Sequence, residues 1–260
     1  MCLITFCWQP GRPVPLVLAA NRDEFHDRPT KPLGWWRWPD GPLAGRDGRS
    51  GGTWLAADRE GRFAAVTNFR EPGAATGPRS RGELPVSWLK SDLSAETCAG
   101  QIHDRRANYG PFTLLVGDLE SLMIVGSHSP PEAVEPGIHA LSNHVLDTPW
   151  PKSLNSCRML EEWLAENGDA PLDGLLDLLD DRNPAPDDQL PETGVGREAE
   201  RLLSAPFIVS PEYGTRSSSA LVLGDTPRMA ERSFDPTGRR IGEIRYSWPR
   251  RRTWGPSLGL

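Results

Sequence analysis

The stretch that decides the fold is MCLITFCWQPGRPVPLVLAANRDEF, residues 1–25. Residues 2–8 and 14–21 are rich in β-forming side chains, and they flank QPGRP, in which two prolines surround a glycine. Two apolar runs separated by such turn residues predict a β-hairpin. The sequence therefore predicts that the chain begins with two antiparallel strands.

The register of this hairpin brings the start of the chain to its first polar cluster. A turn centred on residues 11–12 makes the numbers of paired residues sum to about 23. Cys2 then pairs with Asn21 to within two residues, beside Arg22 and Asp23. We therefore expect a thiol, a cation and a carboxylate at one end of the hairpin.

The rest of the chain alternates hairpins with pairs of amphipathic helices. The predicted strands are residues 51–57, 62–69, 112–126 (a hairpin), 137–143, 206–210 paired with 217–224, 229–235 and 239–248, and the predicted helices are residues 81–91, 94–109, 153–167 and 171–181. Residues 32–52 predict an aromatic loop, and residues 182–196 a surface loop or lid. Hairpins separated by helix pairs favour an α+β fold with sheets sandwiched between helices. Short connections favour one domain, residues 1–250, followed by a flexible tail, residues 251–260.

Composition argues against several classes of function. The net charge is −6 and the basic residues are scattered, so a nucleic-acid partner is not expected. No apolar run approaches the roughly 18 residues of a membrane span. The first residues lack the charged and long apolar segments of a signal peptide, which predicts a cytoplasmic location. Dinucleotide and P-loop motifs are missing, so no cofactor is required by the sequence.

Three of the four cysteines fit apolar faces. Cys98 and Cys157 lie on helical stripes of apolar residues, and Cys7 alternates along the first strand. These patterns favour small buried side chains, and no metal or disulfide spacing connects them. Cys2 alone has a position that chemistry could prefer, because removal of the initiator methionine would leave it a free α-amine beside its thiol.

An N-terminal cysteine can act as a nucleophile without a histidine. Its α-amine, with a pKa of roughly 7.7–8.0, can serve as general base for its own thiol. Arg22 would favour the thiolate, and Asp23 could orient the amine. Asn68 and Asn143, each at the end of a predicted strand, could donate hydrogen bonds to an oxyanion.

These motifs resemble the NRDE family, also called the transport and Golgi organisation 2 family, over nearly the whole chain. The matching segments are Met1-Cys2, NRDE (21–24), GGTWLA (51–56), VTNFR (66–70), LSNHVLDTPWPK (141–152) and YGTRSSSALVL (213–223). In its fold the chain resembles the cysteine N-terminal-nucleophile hydrolases, such as penicillin V acylases and bile salt hydrolases. The resemblance implies an αββα four-layer sandwich of two mainly antiparallel sheets between helix layers.

The resemblance also implies a set of site residues. Cys2 is similar to the acylases' nucleophile, and Arg22 and Asp23 are similar to the pair that positions it. Asn68 resembles their oxyanion-hole asparagine and Asn143 their second asparagine. Arg216 is the candidate for their later arginine. The second asparagine contacts the N-terminal amine or the substrate in those enzymes. Members of the NRDE family have been linked to haem trafficking, which makes haem an alternative ligand of the same cleft.

Most of these residues also have a simpler interpretation. The NRDE segment could be a solvated loop with an Arg22–Asp23 ion pair, or Arg22 could clamp the carboxylate of a ligand. Asn68 and Asn143 could cap strands. The sequence assigns no role to Glu24.

Histidines and tryptophans provide the candidates for ligand binding. His26, His128 and His144 are candidate haem ligands, although no pair has a reliable metal-site spacing. The tryptophans within residues 35–38 could anchor a loop or form an aromatic wall that favours an apolar or planar ligand.

Two functions follow from these observations. The first is hydrolysis of an amide or thioester through an acyl-enzyme on Cys2. The second is non-catalytic binding of haem or another small apolar molecule in the same cleft. The sequence does not determine the oligomeric state.

Overall fold

The computed structural model describes residues 2–37, 41–168 and 171–251, and of Cys2 it describes the backbone. The strands are β1 Cys2–Trp8, β2 Leu16–Phe25, β3 Thr30–Trp35, β4 Leu43–Asp47, β5 Leu55–Ala57, β6 Phe63–Asn68, β7 Phe112–Gly117, β8 Leu122–Gly126, β9 Glu132–Ala133, β10 Gly137–Leu141, β11 Tyr213–Leu223, β12 Arg228–Phe234 and β13 Arg240–Ser247. The helices are α1 Glu83–Leu89, α2 Ala95–Asp104, α3 Pro151–Glu166, α4 Leu172–Asp177 and α5 Arg197–Ser204.

The strands form two antiparallel sheets. The first sheet has the order β10-β1-β2-β11-β12-β13, and the second has the order β3-β4-β5-β6-β7-β8-β9. The second sheet follows the chain, because successive hairpins extend it strand by strand. In the first sheet β11 lies against β2, which brings the C-terminal third of the chain beside the N-terminal hairpin.

Three apolar clusters define the layers. One cluster lies between the sheets and includes Phe6, Leu18 and Phe63. A second joins the outer face of the first sheet to α3 and α4, and a third joins the outer face of the second sheet to α1 and α2. The order of layers is helix, sheet, sheet, helix, which confirms the predicted αββα sandwich.

Burial on both faces explains the uninterrupted apolar run at the start of β2. Leu16 and Leu18 pack into the cluster between the sheets, whereas Val17 and Ala19 pack against the helix layer. Strands covered on both faces lack the alternation of a half-exposed strand. The predicted helices are also confirmed: Ser94 caps α2 by accepting a hydrogen bond from the backbone N–H of Thr97.

Three local predictions are wrong, and one helix was not predicted. The second strand extends to Phe25 instead of ending at residue 21, because β11 pairs alongside the whole NRDE segment. Residues 32–52, predicted as a loop, contain most of β3 and all of β4. Residues 206–210 do not form a strand; β11 pairs with β2 and β12 instead. Helix α5 lies just after the predicted lid and carries no strong apolar pattern in the sequence.

The single-domain boundary at residue 250 remains a prediction. The predicted tail lies almost entirely outside the described residues, of which Arg251 is the last. Among the described residues, no helix has both the length and the apolar character that a membrane crossing requires.

Candidate active site

The polar half of β2 lies at one end of the first sheet, between β1 and β11. Arg22 pairs with Cys2 on one side and with Ser217 on the other. The predicted pairing of Cys2 with Asn21 to within two residues is therefore confirmed. Because side chains alternate along a strand, Arg22 faces the second sheet and Asp23 faces the helix layer. This alternation excludes the solvated Arg22–Asp23 ion pair considered above.

Asp23 is a buried carboxyl group held in one orientation. Its side chain is buried, and Oδ1 accepts a hydrogen bond from Oγ1 of Thr215 at 2.7 Å. The same Thr215 oxygen accepts the backbone N–H of Ile208 at 2.9 Å, which fixes the hydroxyl. Burial raises the pKa of Asp23 above its ordinary value, whereas Lys152, the Thr215 hydrogen bond and Arg22 act in the opposite direction. A carboxyl group in such surroundings is suited to orient an amine.

Arg22 is buried against the second sheet. Its guanidinium lies over the ring of Trp54, 4.2 Å from the ring centroid. Nη1 donates to Oγ1 of Thr30 at 3.2 Å, and Nη2 donates to Oδ2 of Asp47 at 3.4 Å. Gly45 allows Trp54 to pack there, because a Cβ at Gly45 would lie 2.4 Å from the indole ring. Arg22 is thus a fixed cation beside the backbone of Cys2.

Glu24 and Arg28 complete the charge network around Arg22. Glu24 forms ion pairs with Arg22 at 3.8 Å and with Arg28 at 3.6 Å. Nε of Arg28 donates to Asp47 at 2.6 Å. Although burial opposes it, the hydrogen bonds from Arg28 and Ser50 lower the pKa of Asp47 to about 2. Glu24, to which the sequence assigned no role, therefore stabilises the cations at this end of the sheet.

The two predicted asparagines are neighbours. Nδ2 of Asn143 donates to the backbone carbonyl of Asn68 at 3.0 Å. Asn143 is fully buried and has a φ of 57°, a left-handed conformation that asparagine tolerates better than most residues. Its Oδ1 accepts no hydrogen bond from the described residues. Asn68 lies at the exposed end of β6. The pair therefore offers one buried acceptor and one accessible amide.

A polar cavity of about 110 Å³ lies between the polar half of β2 and the end of β6. Arg22, Asp23, Asn68, Trp54 and Arg81 are among the residues that line it. It adjoins a surface groove of about 480 Å³, which shares Asn68 and Arg81. The inner cavity has room for a small polar group, and the groove connects it to solvent.

A buried lysine, Lys152, and a buried ion pair headed by Arg70 were not predicted from the sequence as parts of the site. Lys152 is buried at the start of α3, and its Nζ donates to the backbone carbonyl of Leu203 at 2.8 Å. Arg70 and Glu200 form a buried ion pair at 2.5 Å. The backbone N–H of Arg70 also donates to the carbonyl of Asn143 at 2.7 Å. Both positions fall in or beside segments of the family resemblance, which is the one sequence signal that could have identified them.

Arg216 lies outside the cavity that Arg22 and Asp23 line. Its Nη1 donates to the backbone carbonyls of Phe25, His26 and Arg28 at 3.0, 3.2 and 3.3 Å. These contacts fix the turn that follows β2. The structure therefore places Arg216 as a support of the NRDE segment, on the wall of a different cavity.

The three candidate haem ligands do not converge on one point. Nε2 of His26 bonds to the backbone carbonyl of Ser210 at 3.0 Å. The rings of His128 and His144 both pack against Phe69, with centroids 4.3 and 4.8 Å away. Phe69 lines the surface groove, whereas His128 and His144 are not among the residues that line it.

The tryptophans of residues 35–38 anchor loops in the described part of the segment. Trp35 packs edge-on against Trp248 at 5.4 Å between centroids. Nε1 of Trp36 donates to the backbone carbonyl of Ala44 at 3.1 Å. Trp38 lies outside the described residues. Trp54, which was not predicted, is the tryptophan that lines the polar cavity.

Comparisons with known proteins agree with the sequence motifs. A family model described as "Transport and Golgi organisation 2" matches residues 1–235. The chain is 32% identical over 245 residues to the Transport and Golgi organization protein 2 homologs of Bos taurus and of Homo sapiens. Each alignment covers 86% of this chain and 88% of the relative.

A solved structure shares the fold. The Caenorhabditis elegans ortholog of N-acylethanolamine-hydrolyzing acid amidase aligns with a TM-score of 0.50 and 10% sequence identity. The alignment covers 85% of this chain and 92% of the amidase. This likeness concerns the fold alone, and it agrees with the predicted arrangement of two antiparallel sheets with helices.

Proposed function

Because the chain belongs to the transport and Golgi organisation 2 family and has the fold of an N-terminal-nucleophile hydrolase, we propose that it cleaves an amide or thioester through an acyl-enzyme on Cys2. The observation that carries this proposal is the buried carboxyl group of Asp23 on β2, the strand that pairs with Cys2. A hydrogen bond from Thr215 on β11 holds this carboxyl group in place. A buried carboxyl group at the end of an apolar strand costs stability, and a catalytic role explains why it is there.

The proposed reaction needs no metal or cofactor. Removal of Met1 frees the α-amine of Cys2, which accepts the proton of the thiol. The thiolate attacks the carbonyl carbon, a C–S bond forms, and the C–N or C–S bond to the leaving group breaks as the ammonium returns its proton to that group. Water then hydrolyses the thioester, releasing a carboxylic acid and restoring the thiol.

Each neighbouring side chain has a part in this scheme. Asp23 and the unpartnered Oδ1 of Asn143 accept hydrogen bonds from the α-amine and so orient it. The accessible amide of Asn68 donates to the oxyanion of the tetrahedral intermediate. Arg22, fixed by Trp54, Thr30 and Asp47, favours the thiolate over the thiol.

Mass spectrometry of the purified protein tests the nucleophile directly. We expect the intact mass to lack the initiator methionine and iodoacetamide to alkylate Cys2 before any other cysteine. The control is Cys157→Ala, which removes a half-buried thiol and should leave the fast adduct unchanged. Retention of Met1, or a Cys2 no faster than Cys157, would contradict the proposal because the α-amine would not activate the thiol.

We propose binding of haem or another hydrophobic ligand as the second candidate function. The observation that favours it is Phe69 in the wall of the 480 Å³ groove, with the rings of His128 and His144 packed against it, since planar ligands pack on aromatic rings. Titration of the purified protein with haem should then give a saturable absorbance change that Phe69→Ala weakens. No change with haem at micromolar concentrations would reject this candidate.

A further inference from the structure

A second cavity, of about 310 Å³, lies between β3 of the second sheet and strands β11, β12 and β13 of the first. It shares no lining residue with the polar cavity at Asp23. Arg22 lies between the two, because its Nη1 donates to Thr30, a residue that lines the second cavity. The proposed reaction uses no group in this second space.

The buried end of the second cavity is polar. Ser217 and Glu231 are 4% and 3% exposed, and both line the cavity. A hydrogen bond from the Ser217 side chain acts to lower the pKa of Glu231, although the contact of Ser217 Oγ falls short of normal hydrogen-bond geometry among the described residues. A buried hydroxyl group with so poor a contact loses free energy, and a ligand oxygen that accepts its proton in better geometry would recover that loss.

A cation stands beside this hydroxyl group. Arg216 precedes Ser217 at a bulge in β11, and its Nη1 is fixed by three backbone carbonyls. No acceptor among the described residues is bonded to its Nε or Nη2. The guanidinium is therefore a fixed cation at the cavity wall, and its remaining N–H groups are donors of the kind that bind carboxylates.

Apolar side chains also line the cavity. Phe234 and Ile244 form part of its wall, and Ile241 at its edge is 62% exposed. An exposed isoleucine on the edge strand β13 contributes little to the core. The cavity therefore combines the buried polar groups of Ser217 and Glu231 with hydrocarbon, part of which lies at the exposed edge.

The carboxylates that line the cavity do not make it a cation site. Glu243 is surrounded by arginines: Arg232 at 2.7 Å, Arg240 at 2.8 Å, and Arg245. Burial raises the pKa of Glu231 to about 7, against the backbone N–H of Leu33 and the charge of Arg22. The groups near Glu231 are therefore the cation of Arg22 on β2 and the backbone N–H of Leu33 on β3. Strand β11 adds the cation of Arg216 and the hydroxyl group of Ser217 to the same cavity.

We propose that this second cavity binds an amphipathic carboxylate, such as a medium-chain fatty acid. The carboxylate accepts hydrogen bonds from Ser217 and Arg216, and the hydrocarbon tail packs on Phe234 and Ile241. Protonated Glu231 can donate a third hydrogen bond. An ammonium head group would instead face the charges of Arg216 and Arg22.

Calorimetry with octanoate tests the site, with octan-1-ol and octylamine as probes of equal chain length. We expect one saturable octanoate site, with binding at least about tenfold weaker for the alcohol and none for the amine, because the charged hydrogen bonds carry the discrimination. Equal affinity for octanoate and octan-1-ol would overturn the proposal, as would failure of octanoate to saturate a single site.

Two exposed apolar residues provide a matched pair of variants. Ile241→Asp places a charge at the mouth of the cavity and should weaken octanoate binding at least about tenfold, since it repels the anion and exposes the tail to a polar group. Leu154→Asp changes a residue of similar exposure, 59%, on α3 and should leave the binding unchanged. If both variants bind octanoate like the wild type, the carboxylate lies elsewhere and the proposal is wrong.

The pH dependence supplies an independent test. Glu231 becomes neutral as the pH falls through about 7, so octanoate should bind more tightly at pH 6 than at pH 8. Glu231→Gln is neutral throughout and should remove this dependence, with the affinity of the wild type at pH 6 retained at pH 8. Persistence of the same pH dependence in Glu231→Gln would contradict the assignment. The site does not rest on the proposed hydrolysis, so Cys2→Ala should bind octanoate normally whether or not the chain is an enzyme.

Discussion

The two halves of β2 both pair with β11 but have opposite chemistry. Residues 16–20 are apolar and pack into both the cluster between the sheets and the cluster under the helices. Residues 21–25 begin with three buried polar side chains, although β1 or β11 still pairs along them. Strand pairing satisfies the backbone in both halves, so the difference lies in how the side chains are satisfied.

The polar half is buried only because each side chain meets a specific partner. Nδ2 of Asn21 donates to the backbone carbonyls of Leu179 and Pro206, both at 2.9 Å. Arg22 and Asp23 bind partners on opposite faces of the sheet. Such contacts orient groups precisely enough for chemistry, whereas the apolar half contributes stability through packing. Substitutions in the two halves should therefore separate activity from stability.

The largest effect is expected at Cys2, which pairs with the polar half. Cys2→Ala should reduce cleavage of 4-nitroacetanilide, or of S-acetyl-N-acetylcysteamine as a thioester, by about 10⁴-fold or more, because no acyl-enzyme can form. Thermal unfolding should stay close to that of the wild type. Turnover that survives the substitution would remove Cys2 from the chemistry.

Asp23→Asn should have the next largest effect. We expect turnover to fall by about 10²- to 10⁴-fold with a smaller change in KM, because the amide keeps the size of the carboxyl group but orients the α-amine poorly. Steady-state kinetics on the same substrates provide the measurement. Equal changes in kcat and KM would show that Asp23 binds substrate instead of positioning the amine.

Leu18→Ala tests the apolar half. Leu18 is fully buried between the sheets, so its truncation should lower the free energy of unfolding by about 2–5 kcal/mol. The remaining folded protein should retain its turnover, measured below the unfolding transition and corrected by circular dichroism. A selective loss of activity without loss of stability would erase the distinction between the two halves.

The smallest effect concerns acid stability. Asp47 has a pKa of about 2 in the folded protein, below its ordinary value of 3.8. Its contribution to the free energy of unfolding is therefore present above about pH 4 and disappears as the pH falls towards 2. We expect this contribution to be about 1–2 kcal/mol, allowing for partial exposure to solvent. Urea unfolding at several pH values should show a shallower acid loss for Asp47→Asn. An identical pH profile in wild type and variant would contradict the assignment.

Local patterns predicted the hairpin of β1 and β2 and its register because a short turn rigidly couples two neighbouring strands. They also predicted the helix pairs, since Ser94 and the leucine spacing are local signals. They failed for the end of β2 and for β3 and β4. The NRDE segment and residues 32–52 have no β-pattern of their own, and their strands are stabilised by neighbours distant in sequence.

The sequence by itself determined the placement of Cys2 beside Arg22 and an α+β fold with sheets between helices, because turn geometry and apolar periodicity are local properties. Its contiguous motifs gave the family, and the resemblance to that family implied the αββα sandwich. Only the tertiary structure decided which groups face each other across the sheets. Thr215 reaches Asp23, Asn143 reaches Asn68, and Arg216 supports the turn after β2 instead of entering the polar cavity. These contacts join residues far apart along the chain, and their geometry depends on how sheets and helices pack, which no local pattern encodes.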